Sequence, residues 1–369
     1  MVVLVAGTLV VSEIPYVDRR ARVARGKLVV PVEMAGNVTV APSRHDVYWA
    51  GDPPCDAHGH PLSGMTATRS NLQFANLPVD YHLCHRISGR EFHDYHELVT
   101  SYVKAFEKHA VLLQADATAR VGGGVIADHN PASPFHYVDT ASSLAGIETF
   151  SRTMEGLRIG IVGLGGTGAY VLDLVAKTPV AAIHLFDDDT FDQHNAFRAP
   201  GAAAIEELAA RRMKVDHFTA IYSRQHRGVF PHASRLKTGT LHHLDGLDFV
   251  FVCIDDAPSR GAIVDRIERN GVPFIDVGIG IVAVPNGLLG LVRVTTSTSG
   301  TRERARSVMP DATSGEVDAY RSNVQVADLN VLAAAFAVMR WKRMCGFYRD
   351  EADEHQSVYD IGANRLHIA

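Results

Sequence analysis

The chain has 369 residues, 46% of them hydrophobic and 21% charged, an ordinary composition for one large or two medium globular domains. A formal net charge of −5 with no long basic run argues against a nucleic-acid binder. Four cysteines, none in a CxxC pair, give neither a disulfide framework nor a zinc ribbon, so a cytoplasmic location is the expectation.

The first apolar run, "MVVLVAGTLVV", has no basic leader and is interrupted by Gly7 and Thr8. It is too short to cross a bilayer and reads as a buried strand, and no other run is long and apolar enough for a membrane helix. Up to about residue 140 the chain is rich in His, Pro and Gly, with β-leaning runs at "KLVVPVEMAGNVTVAP" and "HDVYWAGDPP". Phe92, Tyr95, Leu98, Val99, Tyr102, Val103 and Phe106 then recur at helical spacing. These features predict a small α+β domain over residues 1–140. Cys55, His58, His60, Cys84 and His85 are soft or borderline metal donors, but their spacing fits no standard zinc pattern. "GDPPCDAHGHPL" reads as a Pro/Gly-rich loop, and "GGGVIADHNPASP" as a flexible connection.

From residue 141 to 369 the pattern changes. The strand-like runs "RIGIVGL", "AAIHLF", "LDFVFVCI" and "PFIDVGIGI" alternate with helical segments. That alternation predicts an α/β fold, a Rossmann-like doubly wound and mostly parallel sheet with helices on both faces. The first strand runs into Gly163-Leu164-Gly165-Gly166-Thr167-Gly168, and the next ends at Asp187-Asp188-Asp189. A glycine turn lets backbone N–H groups approach a phosphate at a helix N-terminus, and a strand-end carboxylate suits a ribose. On these features alone NAD, FAD and ATP remain equally open.

The residues that follow separate the nucleotides. Asn195 and Arg198 lie just beyond the acidic strand end, Lys214 lies in a helical stretch, and Asp255 and Asp256 end another apolar strand. A doubly wound sheet gathers all these positions at the carboxyl edge of its strands. Hydride transfer does not need an Arg, a Lys and a second carboxylate around phosphates. Nucleotidyl transfer does, because cations offset the growing phosphate charge and a carboxylate holds Mg²⁺.

"GLGGTG", "DDDTFDQHNAFR", Lys214 and "CIDDAPSR", in this order and spacing, resemble the adenylation domain of the ubiquitin-activating-enzyme-like superfamily, the ThiF/MoeB type. The wording is closest to a bacterial branch that carries an extra N-terminal domain and is associated with ubiquitin-like proteins. The resemblance implies an adenylyltransferase using ATP and Mg²⁺, with Gly163, Gly165, Gly166 and Gly168 forming the nucleotide turn. It assigns Asp187 and Asp189 to the cofactor, Asp189 to its ribose. Asn195, Arg198 and Lys214 contact the triphosphate, and Asp255 holds Mg²⁺. The implied substrate is the C-terminal carboxylate of a ubiquitin-like or sulfur-carrier-like protein. A conjugating enzyme is a further partner of such systems, and a homodimer is the usual assembly. An NAD- or FAD-dependent oxidoreductase and a non-catalytic nucleotide-binding scaffold are the competing readings.

The chain departs from the family pattern in several places. Ala199 stands where the family often has Gln, and Arg152 is a candidate on position alone for the arginine that reaches a partner's ATP. The stretch from Thr295 to Ser322, read as a loop, contains Ser and Thr but no thiol. Thr296 and Ser297, within the cluster Thr295–Ser299, are therefore candidate acyl acceptors beside the simpler reading of a polar loop. Cys253 and Cys345 lie in apolar surroundings and read as core residues.

Overall fold

The computed structural model describes residues 1–85, 91–119, 125–127, 133–255, 257–309, 324–352 and 354–369. The chain divides into two compact units, Met1–Arg152 and Thr153–Ala369. Most of "GGGVIADHNPASP", Asp256 and the stretch from 310 to 323 lie outside the described residues.

The first unit is built on a seven-stranded sheet. The order runs Val125–Ala127, Val2–Val5, Thr8–Val17, Val23–Pro31, Asp46–Ala50, Tyr81–His85, Met65–Arg69. The opening apolar run is not one buried strand. Ala6 and Gly7 take φ of 47° and 73°, a left-handed pair that turns the chain into a hairpin, with Leu4 opposite Leu9. The helix Tyr95–Leu113 is capped by Asp94, whose side chain accepts the Glu97 N–H. Its buried stripe, Tyr95, Leu98, Tyr102 and Phe106, closes over Ile14, Leu28, Val47, Trp49 and Leu83 of the sheet. Trp49 is fully buried, edge-on to Phe106 at 5.0 Å and to Tyr16 at 5.2 Å.

The second unit is an eight-stranded sheet in the order Val229–His232, Ala182–Phe186, Arg158–Val162, Phe249–Val252, Phe274–Val284, Gly287–Ser297, Gln356–Asp360, Arg365–Ile368. The first five strands are parallel and the last three antiparallel. This is the doubly wound α/β sheet expected for the second half, and the first unit is the smaller, sheet-rich domain that precedes it. Both faces of the central strands Arg158–Val162 and Phe249–Val252 are covered, so beyond Arg158 their sequences have no polar side chain and do not alternate. Phe249 and Phe251 pack with Ile159 and Ile161 on one face. Val250 and Val252 pack with Val162 and Phe186 on the other.

The helices Gly166–Val175 and Ala327–Met344 cover the first face. Ala333, Ala334 and Ala337 are fully buried, and their small side chains let the long helix lie close against the glycine-turn helix. Among the described residues, no helix is long and apolar enough to cross a membrane.

Candidate active site

The strand order reverses between Arg158–Val162 and Phe249–Val252, and the glycine turn leaves the first of these at that switch point. Each glycine there has its own reason. Gly163 takes φ 87°, and a methyl group on it would lie 2.7 Å from the Cys253 carbonyl oxygen. A methyl group on Gly168 would lie 1.8 Å from the Gly163 carbonyl oxygen, so the helix can fold back on the turn only without a side chain. On Gly166 it would lie 2.0 Å from the Asn330 side-chain nitrogen. Gly165, the N-cap of the helix Gly166–Val175, meets nothing within 4 Å. No side chain caps this helix, which leaves its first-turn N–H groups without a capping acceptor, the arrangement that can bind an anion.

The acidic strand end divides its work between two carboxylates. Asp187 accepts the Leu164 N–H at 2.6 Å and the Asp189 N–H at 2.9 Å, which ties the glycine turn to the neighbouring strand. Burial pushes its carboxyl above the usual range, more than Lys214 and these N–H donors pull it down. Asp189 is different: its side chain is 71% exposed. Lys214 joins the two, with Nζ 2.6 Å from Asp189 Oδ2 and 3.4 Å from Asp187 Oδ1. Lys214 opens the helix Lys214–Tyr222, and its N–H donates to the Asp189 carbonyl at 2.9 Å.

Asn195 and Arg198 sit on and just after the short helix Gln193–Ala196. Asn195 is 3% exposed, and its side-chain oxygen accepts the Asp192 N–H at 2.9 Å. Its Nδ2 and the Arg198 Nε are buried donors with no hydrogen-bond partner among the described residues. Two orphaned donors within one turn of chain fit a phosphate ligand. Asp255 follows the strand Phe249–Val252 and is exposed. It is a hard oxygen donor with no ion pair among the described residues, which suits Mg²⁺.

Sequence reasoning missed Asn330. It is fully buried on the helix Ala327–Met344, accepts the Thr167 hydroxyl at 2.8 Å and lies 3.5 Å from the Arg198 carbonyl oxygen. It thus links the glycine helix to the arginine segment. Asn330→Ala removes two part-buried hydrogen bonds and should cost about 1–3 kcal/mol, read as a lower urea midpoint at unchanged slope.

The structure corrects the reading of Thr296 and Ser297. They belong to the strand Gly287–Ser297, not to a loop, and are 4% and 1% exposed. Both side chains are buried, so neither hydroxyl is presented to an incoming acyl group. Thr298 and Ser299 follow the strand, where the Thr298 N–H donates to Thr301 Oγ1 at 2.9 Å. Cys253 and Cys345 are partly buried and pack against the core. Burial raises both thiols, that of Cys345 to about 11. Arg152 hydrogen-bonds the Asn76 side chain within the first unit. Among the described residues, no group of three or more His, Cys, Asp or Glu side chains could hold a metal ion.

Residues 143–339 match the model of the ThiF family, and residues 1–140 match a domain of unknown function, DUF6791. No curated protein matches the chain. Among solved structures it is similar to PaaA, with a TM-score of 0.47 and 12% identity over 62% of this chain and 79% of PaaA. It is similar to Escherichia coli MccB with ATP, with a TM-score of 0.44 and 15% identity over 60% of this chain and 65% of that one. A further match is the microcin C7 biosynthetic enzyme MccB in complex with N-formylated MccA, with a TM-score of 0.46 and 16% identity over 60% and 66%. The chain spans just under two thirds of the length of these MccB chains.

Proposed function

The chain belongs to the ThiF family, and from that premise we propose that it adenylates a carboxylate with ATP. The proposed carboxylate is the C-terminal one of a ubiquitin-like or sulfur-carrier-like protein. The observation that carries the reading is the set of cationic and orphaned donors around an uncapped glycine turn: Lys214, Arg198 Nε and Asn195 Nδ2.

The geometry supports the following roles. The phosphates lie over Gly165, where no side chain intrudes. Asp187 is committed to bracing the turn, so the exposed Asp189 is the carboxylate left for the ribose hydroxyls. A carboxylate oxygen of the substrate attacks the α-phosphorus. The acyl–oxygen–phosphorus linkage forms, the bond from the α-phosphorus to the bridging oxygen breaks, and pyrophosphate leaves with its electron pair. Arg198, Asn195 and Lys214 offset the charge that grows on the phosphate oxygens. Asp255 would hold Mg²⁺, which when bound neutralises phosphate charge. The acyl group then passes to an acceptor other than Thr296 or Ser297, such as a partner enzyme.

ATP with Mg²⁺ should bind more tightly than NAD by about tenfold or more, measured by calorimetry. Tight NAD binding without ATP binding would sink the adenylation reading in favour of hydride transfer. Exchange of labelled pyrophosphate into ATP, dependent on a small carrier ending in glycine, tests the proposed substrate. We further expect a two-fold homodimer, with a light-scattering mass near twice 40.1 kDa. A monomeric mass at micromolar concentration would exclude any arginine supplied by a second copy.

A further inference from the structure

We infer that a buried row of charged side chains, Arg260–Asp276–Arg293, positions Asp255 for the metal ion; the inference rests on the adenylation reading above. None of the three has a role in the site described above, and all are buried, at 7%, 0% and 3% exposure.

The row is built by strand register. Asp276 pairs with Val252, the last residue of the strand that leads into Cys253, Ile254 and Asp255. On its other side Asp276 stands opposite Thr295, and Gly278 stands opposite Arg293. A methyl group on Gly278 would come within 3.0 Å of Arg293 Nη2, so the glycine leaves room for the guanidinium. Arg293 Nη2 then lies 2.6 Å from Asp276 Oδ2, and its Nη1 donates to Thr295 Oγ1 at 2.9 Å. From the other direction, the helix Ala257–Arg269 brings Arg260 Nε to 3.1 Å from Asp276 Oδ1. Arg260 Nη2 donates to the Ile254 carbonyl oxygen.

That last contact gives the row its consequence. The Ile254 carbonyl and the Asp255 N–H belong to one planar peptide unit. Holding the carbonyl therefore fixes the plane from which the Asp255 side chain departs. The preceding residue is held as well: the Cys253 N–H donates to the Val162 carbonyl at 2.8 Å, and Gly163 abuts the Cys253 carbonyl. The Asp255 segment is gripped by the glycine turn on one side and by Arg260 on the other.

Stability alone does not account for the row. Burying two guanidinium groups and a carboxylate strips water from all three, and replacing such a triad with apolar groups of similar volume is often neutral or stabilising. What an apolar replacement lacks is a directed grip on the Ile254 carbonyl. Arg260 is thus a positioning residue, with Asp276 and Arg293 holding its fork in place. Residues that orient a metal ligand in this way typically change metal affinity by about 10–100-fold when removed.

The test uses the full chain and measures ATP affinity by calorimetry, once with Mg²⁺ and once with EDTA. In the wild-type protein Mg²⁺ should tighten ATP binding. The triple variant Arg260→Met, Asp276→Leu, Arg293→Met should keep its circular dichroism and its ATP affinity in EDTA, while the gain from Mg²⁺ shrinks by about tenfold. An undiminished Mg²⁺ gain in the folded triple variant overturns the inference. If the triple variant does not fold, Arg260→Lys keeps a charge beside Asp276 but loses the fork that reaches Ile254, and a Mg²⁺ gain equal to wild type overturns the inference there. Absence of ATP binding by the wild type would instead remove the adenylation reading. ATP binding that Mg²⁺ leaves unchanged would remove the role of Asp255 and this inference with it.

Discussion

Arg198→Ala should lower ATP–pyrophosphate exchange by about a hundred- to a thousandfold, the usual loss when one preorganised group is taken from a developing charge. Stability should stay within about 0.5 kcal/mol of wild type. The second half of this expectation is what makes the variant informative. Arg198 Nε has no hydrogen-bond partner among the described residues, so truncating the side chain strands nothing. Lys214→Ala should lose exchange to a similar degree, but it should not be silent in stability. Lys214 is 6% exposed and sits against Asp187, whose side chain is only 8% exposed. Removing the ammonium leaves that carboxylate buried without its cation, which destabilises even where the second partner, Asp189, is open to solvent. Urea unfolding beside exchange separates the two. An Arg198→Ala protein that exchanges at the wild-type rate would remove Arg198 from the phosphate site. One that unfolds early would mean that its side chain is structural.

Much of this site was legible because its residues are grouped in short local motifs. The glycine turn, the two aspartates, Asn195, Arg198 and Lys214 lie within 52 positions of one another along the chain. A βαβ pattern alone predicts that they meet at one sheet edge. Asn330 could not be found this way, because it meets Thr167 across 163 residues and an Asn in an Ala-rich helix carries no local signal. The Arg260–Asp276–Arg293 row was hidden for a related reason: it depends on the register between Asp276 and its neighbours on two strands. Thr295, Thr296 and Ser297 misled because a Ser/Thr-rich run reads as polar loop, whereas β-branched Thr fits a pleated strand equally well. Composition could not tell these apart, and pairing with Phe274–Val284 and Gln356–Asp360 decided it. The opening run failed more simply, since the left-handed Ala6 that makes the hairpin has no sequence signature beyond the adjacent Gly7.

Three alanine substitutions in the glycine turn should give three separable results, and the separation depends only on what stands beside each Cα. Gly168→Ala should be the most damaging, because the new methyl would lie 1.8 Å from the Gly163 carbonyl oxygen. That obstacle is backbone, itself tied to the sheet through the Gly163 N–H and Phe186 carbonyl at 2.8 Å. Neither side can yield without opening the turn, and a loss of about 1–3 kcal/mol or more is expected from such overpacking. Gly166→Ala should cost less, since the obstacle at 2.0 Å is the end of the Asn330 side chain. That side chain can swing away, though it then gives up the Thr167 hydroxyl. The double variant Gly166→Ala, Asn330→Ala should therefore be more stable than the sum of the single losses implies. Gly165→Ala is the decisive member. Gly165 takes φ −66°, which any residue adopts, and a methyl there meets no protein atom within 4 Å. Its stability should stay within about 1 kcal/mol of wild type, the poorer N-cap being offset by the stiffer unfolded chain. The same methyl would stand at the uncapped start of the Gly166–Val175 helix, where the proposed phosphates sit, and should weaken ATP binding by about tenfold or more. A Gly165→Ala protein that binds ATP as tightly as wild type would show that the phosphates do not lie over this turn, whatever the other two variants do.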